Sequence, residues 1–284
     1  MSSSTPFKVT MPDGMTLIGR DWPLPGHVTR RGAVLLIHGV GEHSGRYDHV
    51  ADALHAVGLH VRGYDQRGFG VSQGPQGRLP WSDALQDDAQ LMYAKYEADL
   101  AAQGESRPPF LLAHSMGGAV AARIVTARSV RPRGLILSSP AFDPVLSAAE
   151  RGAIEFFSGS APNLPLRHHI RPEQVTHDPD VIQAIKDDIL MHNHVSPRLV
   201  MSIITAGQGA LATAPTLTVP TLLQVAGSDS VVVPAKSRDF AQALPDGVGC
   251  LLWYEHLFHE IYNESPPDRA RVLSDLQTWL KSQL

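Results

Sequence analysis

Phe110-Leu-Leu-Ala-His-Ser-Met-Gly-Gly118 is the stretch of this sequence that decides the fold. The apolar run before the serine predicts a buried strand, and the residues after it begin a segment with helical spacing. A strand–serine–helix turn forces Ser115 into strained backbone geometry and lifts its hydroxyl above the sheet. Ala113 and Gly117 suit this turn because strand and helix approach closely there. We predict that Ser115 is a nucleophile; a serine that merely caps a helix is the alternative.

Short apolar runs alternate with longer segments of helical spacing along most of the chain. This alternation predicts a mainly parallel central sheet with helices on both faces, preceded by a hairpin around Pro12-Asp13-Gly14. The predicted strands are residues 7–9, 16–22, 33–37, 59–64, 110–112, 134–137, 221–225 and 250–253. The predicted helices are about residues 46–57, 82–102, 117–127, 235–243 and 267–284.

The alternation stops at residues 142–218, where the pattern predicts helices and no convincing strand. Asp178-Pro179 and Ser196-Pro197 each combine a capping residue with proline in the first helical position. We expect residues 1–141 and 219–284 to form the core and residues 142–218 to form a helical cap over the strand ends. Helices that add packing without a functional role are the alternative.

A serine hydroxyl becomes an effective nucleophile when a histidine accepts its proton and a carboxylate orients that histidine. The strand–serine–helix pattern is typical of the α/β-hydrolase fold, in which the acid and then the base follow the serine on loops after later strands. Asp229 follows the predicted strand 221–225, and His259 follows the predicted strand 250–253. We therefore predict a catalytic triad of Ser115, Asp229 and His259.

Each partner of the serine has a rival in the sequence. Asp143 comes just after the predicted strand 134–137, and some hydrolases of this fold take the acid from that position. His256 lies three residues before His259 and closer to the strand end, where a surface position is expected.

The oxyanion hole is predicted at the end of the first long apolar strand, where His38-Gly39 follows residues 33–37. In this fold, the loop at that place donates one backbone N–H and the residue after the nucleophile donates the other. The predicted donors are therefore the amides of Val40 and Met116, which together stabilise a tetrahedral oxyanion.

Four blocks of sequence resemble the monoacylglycerol lipase and lysophospholipase branch of the α/β-hydrolases. They are His38-Gly-Val-Gly-Glu-His-Ser-Gly-Arg-Tyr47, Tyr64-Asp-Gln-Arg-Gly-Phe-Gly-Val-Ser-Gln-Gly74, Leu112-Ala-His-Ser-Met-Gly-Gly118 and His259-Glu-Ile-Tyr-Asn-Glu264. The first block is the most specific, because general esterases rarely extend His-Gly in this way. Phe69 departs from the histidine that commonly occupies its position.

The resemblance implies roles for several residues around the nucleophile. Glu42, Arg46 and Tyr47 are implied to shape the alcohol side of the site, with His114 close by. A mutual ion pair of Glu42 and Arg46 that braces the loop is the alternative. The residues Asp65, Arg67, Gly68, Gly70 and Ser72 also match the family and are expected to brace a second loop.

The implied reaction is hydrolysis of a monoacylglycerol or a similar single-chain lipid ester through an acyl-enzyme, with no cofactor and no metal. A broad short-chain carboxylesterase is the alternative. We expect the cap to form a narrow acyl channel from its apolar side chains. These are Phe156, Phe157, Leu164, Leu166, Ile203 and Ile204.

Composition and charge limit the partners. The formal net charge of -4 provides no basic surface for nucleic acid. The single cysteine cannot form an intramolecular disulfide, and no apolar run approaches the roughly 20 residues of a spanning helix. We expect a cytoplasmic protein with possible peripheral membrane contact through the cap; the oligomeric state is open.

Three other interpretations have weaker support. Gly39-Val-Gly-Glu-His-Ser-Gly45 with Asp65 imitates a dinucleotide-binding motif, but its spacing is wrong and it leaves Ser115 unexplained. His168-His169 and His192-x-His194 resemble metal ligands, but a solvated face of the cap is the better interpretation. A non-catalytic binding protein on this fold would usually lack a triad residue.

Overall fold

A central sheet of eight strands organises the protein, whose computed structural model describes residues 4–284. The strands of the molecule are β1 (Thr5–Thr10), β2 (Thr16–Trp22), β3 (Gly32–Ile37), β4 (Leu59–Tyr64), β5 (Phe110–His114), β6 (Leu135–Ser138), β7 (Leu166–Arg167), β8 (His194–Val195), β9 (Thr221–Ala226) and β10 (Gly249–Tyr254), of which β7 and β8 form a separate two-stranded sheet. The helices are α1 (Asp48–His55), α2 (Ala84–Ala102), α3 (Ser115–Thr126), α4 (Ala148–Ser160), α5 (Pro179–Asp187), α6 (Pro197–Thr213), α7 (Pro234–Ala243) and α8 (Pro266–Gln283). None of these helices is both long and apolar enough to cross a lipid bilayer.

The strand order in the sheet is β1-β2-β4-β3-β5-β6-β9-β10. β1 and β2 form the predicted antiparallel hairpin, and β2 also pairs antiparallel with β4. The strands from β4 to β10 in that order run parallel. The predicted α/β-hydrolase architecture, with a mainly parallel sheet, is therefore confirmed.

Helices cover both faces of the sheet, which explains why its central strands are apolar throughout. Val34 and Leu36 of β3 pack in a core with α1 and α8, whereas Leu35 and Ile37 pack on the other face with α2, α3, α6 and α7. Successive side chains of a strand point to opposite faces, so both sets are buried. The carboxyl ends of the parallel strands meet at one edge of the sheet, where ligands bind in open α/β sheets.

Residues between β6 and β9 contain the predicted capped helices. The Asp178 side chain accepts hydrogen bonds from the first-turn amides of α5, and the Ser196 side chain accepts one from the Leu199 amide of α6. The prediction of a strand-free segment is wrong, because β7 and β8 pair antiparallel within it. Each has only two residues, too few to show an alternating pattern in the sequence.

Helix α6 packs on the body of the protein. Leu199, Ile203, Ala206 and Ala210 are buried in the same core as α3. A Cβ on Gly207 would lie 2.3 Å from the carbonyl oxygen of Phe142, so the helix and the chain leaving β6 are in close backbone contact. The more exposed part of the segment comprises α4, α5 and the β7–β8 pair.

Candidate active site

Ser115 lies in a sharp turn between β5 and α3. Its φ of 52° is in the left-handed region, which a residue other than glycine adopts only where the surroundings impose it. Those surroundings are backbone: a Cβ on Gly117 would lie 2.5 Å from the carbonyl oxygen of His38, and one on Gly118 would lie 2.9 Å from the Pro140 Cα. The small residues of the motif therefore permit the turn that aims the serine hydroxyl out of the sheet.

His259 links this serine to a carboxylate. Its Nε2 lies 2.8 Å from Ser115 Oγ, and its Nδ1 lies 2.6 Å from Asp229 Oδ2. The other Asp229 oxygen accepts hydrogen bonds from the amides of Val231 and Val232 at 2.8 and 3.1 Å, so the carboxylate is held from both sides. The structure thus brings the three predicted triad residues into one hydrogen-bonded chain.

Burial and the surrounding carboxylates set the pKa of His259 in opposite directions. Burial lowers it, but the adjacent Asp229, together with Glu260 and Glu42, raises the pKa above its ordinary value of 6.5. The positive imidazolium formed when this ring takes up a proton is therefore stabilised in place.

The two rival residues lie outside this chain of hydrogen bonds. Asp143 forms an ion pair with Arg151, with Oδ1 and Nη2 at 2.7 Å. His256 is exposed on the loop before His259, which is the surface position expected for it.

The loop after β3, residues 38–43, passes over the nucleophile and is called the oxyanion loop below. The Gly39 amide donates to Glu42 Oε1 at 2.6 Å, and Val40, whose amide is the first predicted donor, lines the cavity. A Cβ on Gly39 would lie 3.1 Å from Ser115 Cβ, so only glycine allows this loop to run so close. Met116, the second predicted donor, lies in the first turn of α3, where amides have no acceptor within the helix.

Glu42 and Arg46 form the ion pair that was the alternative to direct substrate contact. Arg46 donates to Glu42 at 2.9 Å and to both oxygens of Glu260 at 2.9 and 2.7 Å, and the Tyr47 hydroxyl donates to Glu42 at 2.8 Å. Despite burial, Arg46 lowers the pKa of Glu42 to about 2. Glu42 reaches the cavity wall, but Arg46 and Tyr47 do not line the cavity and act behind it.

His114 lines the cavity next to the nucleophile. Its ring lies 4.8 Å from the His259 ring, and its Nδ1 is 3.1 Å from the carbonyl oxygen of Ser138. Burial, together with His259, lowers the pKa of His114 to about 4, so this ring is neutral at physiological pH. A neutral imidazole can exchange a hydrogen bond with a bound hydroxyl without competing for the proton of Ser115.

Ser115 and His259 open into a cavity of about 400 Å³ between the sheet edge and the cap. Its apolar wall is formed by Ile170, Pro172, Val175, Ile185, Met191 and Val231. The prediction that Phe156, Phe157, Leu164, Leu166, Ile203 and Ile204 form an acyl channel is wrong, because none of them lines this cavity. Phe156 is 68% exposed, and Ile203 and Ile204 are buried packing residues. A sequence marks apolar residues but not the surface that each of them covers.

The histidines of the cap are also placed differently from the prediction. His168 and His192 line the cavity and are part-buried, so the predicted solvated face is wrong for both, whereas His169 is exposed. Burial lowers the pKa of His168 to about 4 and also lowers that of His192. The structural description, which covers residues 4–284, contains no group of three His, Cys, Asp or Glu side chains arranged to hold a metal ion.

Two glutamates near the catalytic histidine were not predicted. The Glu260 carboxylate accepts a hydrogen bond from the Arg46 guanidinium. The buried Glu264 accepts hydrogen bonds from the Phe258 amide at 2.7 Å and the His177 amide at 2.9 Å. Glu264 thereby ties the loop of His259 to the cap. Both belong to the block His259-Glu-Ile-Tyr-Asn-Glu264, and its match to the family was the signal that could have found them.

Asp65 braces the loop after β4, as expected. Its Oδ1 accepts from the Ser44 amide at 2.8 Å, its Oδ2 accepts from the Val71 amide at 3.0 Å, and its carbonyl accepts from the Ser72 hydroxyl at 2.6 Å. A Cβ on Gly70 would collide with this carboxylate at 2.2 Å, which explains the glycine.

Known proteins match this chain over nearly its whole length. The Hydrolase_4 family model, described as serine aminopeptidase S33, matches residues 29–266. A monoacylglycerol lipase of Mycolicibacterium smegmatis is 32% identical over 265 residues, covering 89% of each protein. An abhydrolase domain-containing protein of Dictyostelium discoideum is 30% identical over 288 residues; the match spans all of this chain but only 30% of that longer protein.

A solved structure supports the same relationship. The monoacylglycerol lipase of Paleococcus ferrophilus superposes with a TM-score of 0.83 at 26% identity, covering 94% of this chain and 99% of that one. The chain belongs to the serine aminopeptidase S33 family of α/β-hydrolases, on the branch that includes the monoacylglycerol lipases.

Proposed function

We propose that this protein is a serine hydrolase that cleaves monoacylglycerols or similar single-chain lipid esters through an acyl-enzyme. The observation that carries the proposal is the hydrogen-bonded chain from Ser115 through His259 to Asp229 at the floor of a cavity. The mycobacterial relative and the Paleococcus structure are monoacylglycerol lipases by name, which supports the choice of substrate.

In the first half of the proposed reaction, Ser115 Oγ attacks the carbonyl carbon of the ester. His259 Nε2 accepts the hydroxyl proton while its Nδ1–H donates to Asp229, which fixes the tautomer that leaves Nε2 free to act as base. The imidazolium then returns the proton to the leaving alcohol. The C–O bond to the alcohol breaks, and the acyl group remains on Ser115.

The oxyanion formed in this step needs donors that are already in place. We assign them as the Val40 and Met116 amides, on the oxyanion loop and in the first turn of α3. Fixed backbone donors in a site that excludes water stabilise a tetrahedral oxyanion by several kcal/mol.

The second half of the reaction uses the same groups in reverse. Water replaces the alcohol, His259 accepts a proton from that water as it attacks the acyl carbon, and the proton then returns to Ser115 Oγ as the fatty acid leaves. Nucleophile, base and oxyanion donors all come from the chain, so the proposed steps use neither a cofactor nor a metal.

The walls of the cavity match the two ends of a monoacylglycerol. The apolar side chains Ile170, Val175, Ile185, Met191 and Val231 suit an acyl chain. Glu42 and His114, which also line the cavity, suit the hydroxyl groups of a small alcohol. The cavity of about 400 Å³ has room for one acyl chain and a small head group.

An ester series tests this proposal. Mono-, di- and tri-esters of one medium-chain acid are compared under matched dispersion, with Ser115→Ala as the blank. We expect the mono-ester to be cleaved fastest, and kcat/KM to rise with chain length because each buried methylene contributes about 0.8 kcal/mol. Equal rates on all three esters would instead indicate an open cleft and the broad carboxylesterase activity that is the alternative.

We further propose a cytoplasmic enzyme that touches membranes through its cap. Phe156, 68% exposed at the end of α4, packs edge-on against Phe157 with ring centroids 5.2 Å apart, and Leu164 is also exposed. The one cysteine of the chain, Cys250, has no second cysteine with which to form an intramolecular disulfide, which suits a reducing compartment.

Sedimentation with phosphatidylcholine vesicles tests the membrane contact. Phe156→Ser is expected to lower vesicle binding about fivefold or more, since less apolar surface enters the interface. Val71→Ser, which removes an exposed apolar side chain that follows β4 and lies outside the cap, is the matched control. Equal binding by both variants would contradict the contact.

A further inference from the structure

The cap segment 188–195 lies against the oxyanion loop, and the two make close backbone contact at Gly41. The His192 amide donates to the Gly41 carbonyl at 3.1 Å. Gly41 has a φ of 78°, and a Cβ there would lie 2.7 Å from the His192 carbonyl oxygen. The left-handed glycine is therefore what allows the cap to reach the loop.

The His192 side chain is itself fixed to the body of the protein. Its Nδ1 accepts from the His194 amide at 3.3 Å, so its Nε2 carries the proton and donates to the Gly68 carbonyl at 2.9 Å. Its ring also stacks on Phe69, with centroids 5.0 Å apart and an interplanar angle of 13°. Phe69, which departs from the family pattern, thus provides a flat platform for this residue of the cap.

A second contact joins the same two segments through side chains. His43 Nδ1 accepts from the Gly45 amide at 3.1 Å, so its Nε2–H donates to Asp188 Oδ2 at 2.8 Å. The other Asp188 oxygen accepts from the Leu190 amide at 2.9 Å. Asp188 therefore connects the end of the oxyanion loop to the turn that follows α5.

These contacts fall on either side of the proposed oxyanion donor. The body holds the Gly39 amide through Glu42, whereas the cap holds the Gly41 carbonyl and the His43 ring. The Val40 amide lies between them, so its direction is set by both parts of the molecule. A cap that moved away would leave one side of this peptide unsupported.

We propose that Asp188 and His192 are positioning residues that hold the Val40 amide toward the oxyanion, so that the oxyanion hole is complete only when the cap is seated. The proposal rests on the proposed serine hydrolase function. It predicts a defect in transition-state stabilisation, because neither side chain needs to touch the substrate to act in this way.

The test compares Asp188→Ala with Asp187→Ala. Asp187 is the neighbouring residue, is exposed, and accepts hydrogen bonds from the Gln183 side chain of its own helix, so its variant controls for loss of a carboxylate at the end of α5. Active sites are titrated with a fluorophosphonate, and kcat per titrated site is measured on a soluble nitrophenyl ester. The inhibition constant of a trifluoromethyl ketone, whose adduct places an oxyanion in the hole, is measured in parallel.

We expect Asp188→Ala to lower kcat roughly tenfold, part of the about 10²–10³-fold effect of losing a whole oxyanion donor. The inhibition constant should rise by the same factor, with KM nearly unchanged. Asp188→Asn keeps an acceptor for His43 and should restore most of the rate. His192→Phe, which keeps the stack on Phe69 but loses the bond to Gly68, should show a smaller defect of the same kind.

Equal kcat values for the Asp188→Ala and Asp187→Ala variants would overturn the inference, as would a rise in KM with kcat unchanged. A lower titre with normal kcat per site would also overturn it, since that result means misfolding alone. Ser115→Ala separates the two proposals. If that variant still hydrolyses the ester, the proposed function fails; if it is inactive while Asp188→Ala is unaffected, only the positioning role fails.

Discussion

The sheet edge and the cap form opposite sides of one cavity, but different forces hold them in place. At the sheet edge, Ser115 is fixed by backbone packed against backbone, so closely that a Cβ on Gly117 would lie 2.5 and 2.6 Å from the carbonyl oxygens of His38 and Ile37. Helix α6 of the cap is packed into the core, but the part of the cap that faces the oxyanion loop is joined to it by polar contacts such as His43–Asp188 and leaves side chains such as Ile189, 94% exposed, uncovered. We infer from this contrast that the nucleophile, base and acid belong to the rigid sheet edge, whereas the cap acts on the selection of substrate and on the seating of the oxyanion loop.

The largest effect is expected at the nucleophile. Ser115→Ala should lower kcat by about 10⁴-fold or more, because the remaining groups have no nucleophile to activate. A fluorophosphonate probe should label the native protein and fail to label this variant. Ser160→Ala, at the exposed end of α4, serves as the control. Persistent labelling of the Ser115 variant would mean that another residue is the nucleophile. The comparison between the sheet edge and the cap would then no longer hold.

The acid should have the next largest effect. Asp229→Asn is expected to cost roughly 10³–10⁴-fold in kcat, because an amide favours the wrong tautomer of His259. Asp143→Asn breaks only the ion pair with Arg151, so its loss of kcat should be small. If the two losses came out in the opposite order, the acid would lie after β6.

Substitutions of Gly117 and Gly41 allow the sheet edge and the cap contact to be compared directly. Gly117→Ala forces a Cβ to within 2.5 Å of the His38 carbonyl, where neither backbone can move, and should lower the free energy of unfolding by about 3 kcal/mol. Gly41→Ala meets the His192 carbonyl, which the cap can carry away, so the fold should survive while kcat falls on the order of tenfold.

Chemical denaturation and steady-state kinetics on the same preparations check this comparison. Gly117→Ala, at the sheet edge, should mainly lower the free energy of unfolding. Gly41→Ala, at the contact with the cap, should mainly lower kcat. A Gly41→Ala variant that unfolds as easily as Gly117→Ala would show that the cap is as rigidly seated as the elbow.

The sequence indicated the sheet edge better than the cap for a physical reason. At the elbow, the constraint is local: a buried strand, small residues around Ser115 and a helix all lie within one short stretch. The order of Asp229 and His259 along the chain then followed from the order of the strands. In the cap, β7 and β8 are too short to show an alternating pattern. The sequence also does not show whether an apolar residue such as Phe156 or Ile203 lines the cavity, packs on the body or stays exposed. Contacts such as His43–Asp188 join residues 145 positions apart and leave no local trace.

The smallest expected effect is a shift in the pH dependence of the rate. It distinguishes His259 at the sheet edge from His168 in the cap. His259 must be neutral to accept the Ser115 proton, so kcat/KM should rise with pH through the pKa of His259. Burial lowers this pKa, but Asp229 raises it further, and the inflection should therefore lie above 6.5. Burial lowers the pKa of His168 to about 4, so this ring of the cap is already neutral and should add no second inflection near neutrality. Rates on a soluble ester between pH 5 and 9 check both statements.

Asp229→Asn, which removes the nearest negative charge, should move the inflection to lower pH; an unmoved inflection would mean that a histidine other than His259 limits the rate.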